Sequence, residues 1–123
     1  MENSILTSVK KMLGFAEDYT AFDDDIIINI NSVFSTLTQL GIGPASGFMI
    51  EDATATWDDY VTAGVEPNEL NSVRTYVFLK LRLLFDPPSS SYFIASMEKQ
   101  IAEFEWRLNV AREYALYPIQ EEA

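Results

Sequence analysis

The sequence predicts an all-α fold, a small bundle of about four to five helices with a long C-terminal helix and one irregular loop at about residues 41–56. Three observations lead to this prediction. Apolar residues recur at alternating steps of three and four along much of the chain, which is the spacing of one helix face. Glycines and prolines stand at the ends of these periodic segments. A hydrophobic fraction of 48% in 123 residues is enough for one buried core.

We expect one helical domain over residues 1–123, with residues 1–4 and 115–123 as flexible or docking tails. No apolar run approaches about 18 residues, so the sequence predicts no membrane-spanning helix. The opening residues have neither the basic nor the apolar region of a secretory signal. The chain contains no cysteine, which is compatible with the reducing cytoplasm.

The first helix is predicted at residues 5–13, with Gly14 just past its end. In the second helix Asp23 is expected as the N-cap, and Phe22 and Ile27 as a hydrophobic staple. Capping explains the three adjacent aspartates that begin this segment, so no metal site is expected there. The helix ends at Gly41, and its core-facing side consists of Ile26, Ile30, Val33, Leu37 and Leu40.

The loop at about residues 41–56 contains three glycines and a proline. Thr56 then caps a short helix that ends near Gly64, with Asp59 at the position that completes a capping box. Pro67 lies in the first turn of the next helix, which extends to about Phe85. This helix is apolar on two sides and therefore covered on both, either as the central helix or as part of a subunit contact. The two stripes are Leu70, Val73, Val77, Leu81 and Leu84, and Tyr76, Leu79 and Leu83.

Pro87 ends this helix, and Asp86 or one of the serines at 89–91 caps the last and longest helix, at about residues 90–114. Trp106, Val110 and Tyr114 form a series on one side of this last helix. Either another helix of the same chain covers them, or they form a protein–protein contact, because aromatic residues dominate interface hot spots. The core-facing seam on the other side is Ile94, Met97, Ile101, Phe104, Leu108, Ala111 and Ala115.

The composition does not favour enzymatic chemistry. The chain has no histidine and no cysteine, so Ser–His and Cys–His pairs are excluded. Carboxylates close in sequence, such as Asp58 and Asp59, are more typical of a solvated helix surface. We therefore predict a non-enzyme, with no catalytic residue, metal or cofactor. A net charge of −11 predicts a poor binder of nucleic acid and of acidic membranes.

Several short patterns occur in an ordered series: TWDDY, NSVRTYVFLKLRLLFDPPSSSYF and IAEFEWRLN. They contain a Trp-Asp pair, a tyrosine-containing helix with Lys80 and Arg82, a Phe-Asp-Pro-Pro corner, and a Trp-Arg-Leu run at residues 106–108. In this order they resemble a family of small head–tail connector proteins of long-tailed bacteriophages. The resemblance extends over about residues 12–113, because DDDIIININSVFSTLTQLGIG is also similar to the family's first long helix.

The resemblance implies a helical subunit that forms a ring homo-oligomer of about a dozen copies, since head-to-tail contacts close rings. It implies a place in the virion beneath the portal protein, assembly in the host cytoplasm, and a next neck partner, a stopper or tail-completion protein. Genomic DNA would pass through the ring without specific binding.

We expect Asp58 and Asp59 as channel-lining candidates. Subunit-interface candidates are Trp57, Tyr76, Leu79, Leu83, Phe85, Trp106, Val110 and Tyr114. The alternative function is a small acidic DNA mimic that inhibits or regulates a nucleic-acid-binding protein.

Overall fold

The computed structural model describes residues 3–85 and 89–116, and side chains as far as residue 110. The described residues form five α-helices and contain no β-strand, which confirms the predicted all-α bundle. The helices are α1 (Ile5–Met12), α2 (Asp23–Gln39), α3 (Trp57–Gly64), α4 (Leu70–Phe85) and α5 (Ser91–Leu116), with a 3₁₀ turn at Pro67–Glu69 before α4.

Most helix boundaries lie where glycine, proline and capping residues predict them. Gly14 and Gly41 both have φ of 87°, the left-handed conformation that ends a helix readily only at glycine. The capping box of α3 is complete: Thr56 Oγ1 accepts the Asp59 N–H, and Asp59 Oδ2 accepts the Thr56 N–H at 2.9 Å.

The start of α2 differs from the prediction. Asp23 is the first helical residue and not the N-cap, which is Phe22 and makes no side-chain cap bond. The Asp23 carboxylate instead lies 2.9 Å from the ammonium of Lys10, which is buried. Leaving a buried ammonium without a counter-charge costs more free energy than leaving a helix end without a side-chain cap. Asp23 therefore pairs with Lys10 and does not cap the helix.

Since Phe22 is the N-cap, Phe22 and Ile27 do not occupy the N′ and N4 positions of the expected hydrophobic staple. Phe22 packs against Phe15 and Tyr19, with ring centroids 5.7 and 6.0 Å apart respectively. The three rings cover the connection between α1 and α2, and Ile27 packs against the edge of the core.

Helix α4 is the central element, because it packs against both α2 and α5. The side chains of Val73, Tyr76, Val77 and Leu81 are fully buried, whereas Leu84 is exposed at the end of its stripe. In α5, Ile101 and Leu108 are buried as the seam predicts, and Ile94, Met97 and Phe104 are partly buried. Ala111, Ala115 and the Asp86–Pro88 corner lie outside the described residues or side chains.

The first described residues are tied to the start of α3. The Trp57 N–H donates to the Asn3 carbonyl at 3.0 Å, and the Ile5 N–H donates to the Ala55 carbonyl at 3.0 Å. Ser4 pairs with Thr56 in an isolated antiparallel bridge, and its Oγ accepts the Thr7 N–H as the N-cap of α1. Residues 3 and 4, expected in a flexible or docking tail, are thus hydrogen-bonded to the domain.

Candidate functional site

Two of the predicted interface residues, Trp57 and Tyr76, lie inside the subunit. Trp57 is 1% exposed, and its indole N–H donates to Ser8 Oγ at 2.9 Å. Its ring contacts Phe34 and Phe78 edge to face. Tyr76 is fully buried, and burial together with the nearby Glu105 carboxylate raises the pKa of its hydroxyl to about 12. Both rings therefore contribute to the subunit's own core.

Leu79, Leu83 and Phe85 occupy intermediate positions at the edge of the core. Leu79 lines a groove between α4 and α5. Phe85 lines a separate depression together with Phe15 and Phe22. These three side chains are partly covered by their own chain and partly open.

The outward side of α5, away from the core, carries an exposed tryptophan, Trp106. Trp106 is 67% exposed, and Val110, one turn further on, is also exposed, so the described residues leave this surface uncovered. The neighbouring Glu103 and Arg107 form an exposed i,i+4 ion pair on the same helix. The Tyr114 side chain lies outside the described residues.

Asp58 and Asp59 are exposed in the first turn of α3. Asp58 Oδ2 accepts a hydrogen bond from Asn3 Nδ2 at 2.8 Å, and Asp59 completes the capping box. Negative charge in this position also interacts favourably with the helix dipole. Both carboxylates thus stabilise local structure and add two negative charges to the surface.

A groove between α1, α4 and α5 was not predicted from the sequence. It consists of two adjoining depressions of about 660 and 630 Å³ that share Met12 and Phe78. Met12 is 56% exposed at its centre. The walls also carry Lys11, Arg74, Arg82, Phe93 and Met97, and one carboxylate, Glu17. We call it the basic groove, since three of the chain's eight basic residues line it.

Arg74 is held in the basic groove by aromatic rings. Its guanidinium carbon lies 5.4 Å from the Trp57 ring centroid and 5.9 Å from that of Phe78. Cation–π contacts of this kind fix the orientation of the guanidinium while leaving donors for a partner. The groove therefore presents an apolar floor with positively charged walls.

A second apolar surface, on α2 and the following loop, was also missed. Asn31 clamps the loop to the helix: its amide oxygen accepts the Ile50 N–H at 2.8 Å, and its amide nitrogen donates to the Ile50 carbonyl at 3.0 Å. Ile50 is buried, so its neighbours Met49 and Glu51 point outward, and Met49 is 73% exposed. Met49 and Ile28, itself 65% exposed, line one shallow depression.

Three exposed carboxylates are close in sequence to this second surface. Asp24 lies one turn before Ile28 on the same side of α2, and Asp52 follows Glu51. Asp52 accepts hydrogen bonds from the hydroxyl and the N–H of Thr54, which lower the pKa of its carboxyl. We call Asp24, Ile28, Met49, Glu51 and Asp52 the acidic face. One sequence signal was available, because Ile28 interrupts the otherwise polar side of α2.

Within residues 3–85 and 89–116, no group of three or more histidine, cysteine, aspartate or glutamate side chains is arranged to hold a metal ion. Over the same described residues, none of the helices is both long and apolar enough to cross a membrane.

The fold and these surfaces define a small helical protein whose notable surface features are apolar patches for contact with other proteins. A family model described as phage connector protein matches residues 5–115. The chain therefore belongs to the phage connector protein family, a structural family of the phage head–tail connection, which confirms the resemblance seen in the sequence. Searches of curated proteins and of solved structures give no significant match.

Proposed function

We propose that this chain is a neck protein that assembles as a ring of about a dozen copies beneath the portal and leaves a central channel, since head-to-tail contacts close rings. The ring joins the DNA-filled head to the next neck component, a stopper or tail-completion protein. It resides in the virion and assembles in the host cytoplasm. The observation that carries this proposal is membership of the phage connector family over residues 5–115.

The exposed apolar surfaces support an assembling subunit. Trp106, Val110, Met12 and Met49 are large apolar side chains outside the buried core, and all four are exposed. Monomeric proteins rarely leave several apolar patches uncovered, and such patches mark protein–protein contacts. In the proposed ring, Trp106 and Val110 contribute to contacts between subunits or with the portal, together with Tyr114.

The charge of the subunit supports a channel that DNA passes without binding. A subunit of net charge −11, repeated about a dozen times around a channel, repels phosphates and provides no counterion release to hold them. Asp58 and Asp59 are the channel-lining candidates of this proposal. Their hydrogen bonds with Asn3 and Thr56 hold them in place on α3.

Native mass spectrometry of the purified chain, over a range of concentrations and with or without the portal protein, tests the proposal. We expect one closed oligomer of about a dozen subunits, alone or on the portal, since heterologous contacts that close give a defined number of copies. A chain that stays monomeric at every concentration and does not bind the portal would contradict the proposal. Competition with DNA for a basic partner would then favour the acidic DNA mimic.

A further inference from the structure

We infer that the basic groove of one subunit receives the acidic face of the next, and that this pairing is part of the lateral contact of the ring. The inference rests on the proposed function, because it specifies which surfaces meet when copies of this chain associate. It commits to a second copy of the chain as the occupant of the groove.

Charge complementarity is the first argument. The basic groove collects three basic side chains, Arg74, Arg82 and Lys11, against one carboxylate, Glu17, in a chain with eight basic and nineteen acidic residues. A strongly acidic subunit repels its own copies unless a positive surface meets a negative one. The acidic face has three exposed carboxylates, Asp24, Glu51 and Asp52, close in sequence to two exposed apolar side chains, Ile28 and Met49.

The apolar parts of the two surfaces also match. Met12 and Phe93 stand exposed in and beside the groove, and Met49 and Ile28 project from the acidic face. Methionine has a flexible side chain and fills irregular apolar gaps well. Burial of these side chains on association would give the contact an apolar centre with charged edges, which is the usual anatomy of an interface.

The positions of the two surfaces fit a head-to-tail contact. Ile28 is two residues from the buried Ile26 and Ile30, so at about 100° per residue it lies on the side of α2 away from the core. The groove lies along α4, where this helix meets α1 and α5, and its lining includes no residue of α2. Because the two surfaces are different, their pairing is a heterologous contact, which gives a ring when the rotation between copies closes and does not give a two-fold dimer.

The cysteine-free chain allows a direct test by cross-linking. Met12→Cys and Met49→Cys each place one thiol at the centre of one surface, at an exposed methionine whose loss leaves the core intact. Mixed at high protein concentration and treated with a short bis-maleimide, the two variants should give about tenfold more dimer than a control pair, because contact raises the effective thiol concentration. The matched control is Met12→Cys mixed with Ala63→Cys, an exposed position on α3.

Each variant alone should give only the control yield, since like surfaces do not meet in a heterologous contact. Arg82→Glu in the Met12→Cys chain should reduce the mixed yield to the control level. Adding Glu51→Lys to the Met49→Cys chain should then restore part of it. A mixed yield equal to that of the control pair, or one unaffected by Arg82→Glu, would overturn the inferred pairing.

The outcome is separable from that of the ring proposal. A closed ring of the wild-type chain in native mass spectrometry, together with control-level cross-linking, would reject this pairing and retain the ring. Specific cross-linking between Met12→Cys and Met49→Cys without any closed oligomer would retain the pairing and reject the ring.

Discussion

The two tryptophans of the chain occupy opposite environments. Trp57 is buried among Phe34, Phe78 and Ser8, with its indole N–H hydrogen-bonded and a guanidinium over its ring. Trp106 is exposed on the outward side of α5. The sequence placed both among the interface candidates, because an aromatic residue on an amphipathic helix is typical of either role. The contrast separates residues that hold the subunit together from residues available to hold subunits to each other.

The largest expected effect is on the buried tryptophan. Trp57→Ala should lower the free energy of unfolding by about 4 kcal/mol, through lost burial, an unfilled cavity and the loss of the hydrogen bond that Ser8 Oγ accepts from the indole. Urea denaturation followed by circular dichroism measures the loss. Trp57→Phe is the matched control and should cost clearly less, because it keeps most of the ring contacts. A loss below about 1 kcal/mol for Trp57→Ala is typical of a surface substitution. Such a small loss would contradict the contrast between the two tryptophans.

The next largest effect concerns the loop that carries part of the acidic face. Asn31→Ala should cost about 2 kcal/mol, because it leaves both backbone groups of the buried Ile50 without their side-chain partner. Asn29→Ala on the same helix is the control, since its amide only donates to the Asp25 carbonyl at an exposed position. Proteolysis of the loop at residues 41–56 should become faster in Asn31→Ala alone. Equal rates in the two variants would show that the clamp does not hold the loop.

Alkaline pH should weaken the core through a smaller effect at Tyr76. Its hydroxyl ionises near pH 10 in the unfolded chain but only at about 12 in the folded one, so the folded state retains a proton that the unfolded state loses. The contribution is therefore constant below pH 10, and stability falls as the pH rises from 10 towards 12. Burial also raises the pKa of Tyr60. Chemical denaturation at pH 9 and 11 should show a smaller decrease for Tyr76→Phe than for the wild type, and an identical decrease would contradict this cause.

The smallest effect on stability is expected at the exposed tryptophan. Trp106→Ala should change the free energy of unfolding by less than about 0.5 kcal/mol, because an exposed side chain loses few contacts. In the proposed ring it should nevertheless impair assembly, since exposed tryptophans often become hot spots of an interface. Native mass spectrometry of the folded variant measures this. If Trp106→Ala formed the ring to the same extent as the wild type, this residue would not contribute to the contact.

The sequence predicted the helices well because their ends depend on nearby residues. Glycines that adopt positive φ, the Thr56–Asp59 capping box and Pro67 each act within a few positions. It failed at Asp23, because the ion-pair partner Lys10 is thirteen positions away and belongs to another helix. Contacts between residues far apart in the sequence also account for the burial of Trp57 and for the basic groove, neither of which the sequence predicted. Met12, Phe78 and Phe93 come together only through the packing of three helices, and no local pattern encodes that packing.

The hydrogen bonds between Asn3, Ser8 and the start of α3 have a consequence for the order of folding. Asn3 and Asp58 are 55 positions apart, and Ser8 and Trp57 are 49 apart. During synthesis on a ribosome, α1 emerges before the start of α3, with which it forms hydrogen bonds. The buried Lys10 of α1 likewise has no ion-pair partner until Asp23 has been translated. Helix α1 therefore cannot complete its contacts until the start of α3 has been translated. Such long-range contacts slow folding, so an amide-exchange pulse during refolding should protect the α4–α5 pair, whose helices follow each other in the chain, before it protects α1.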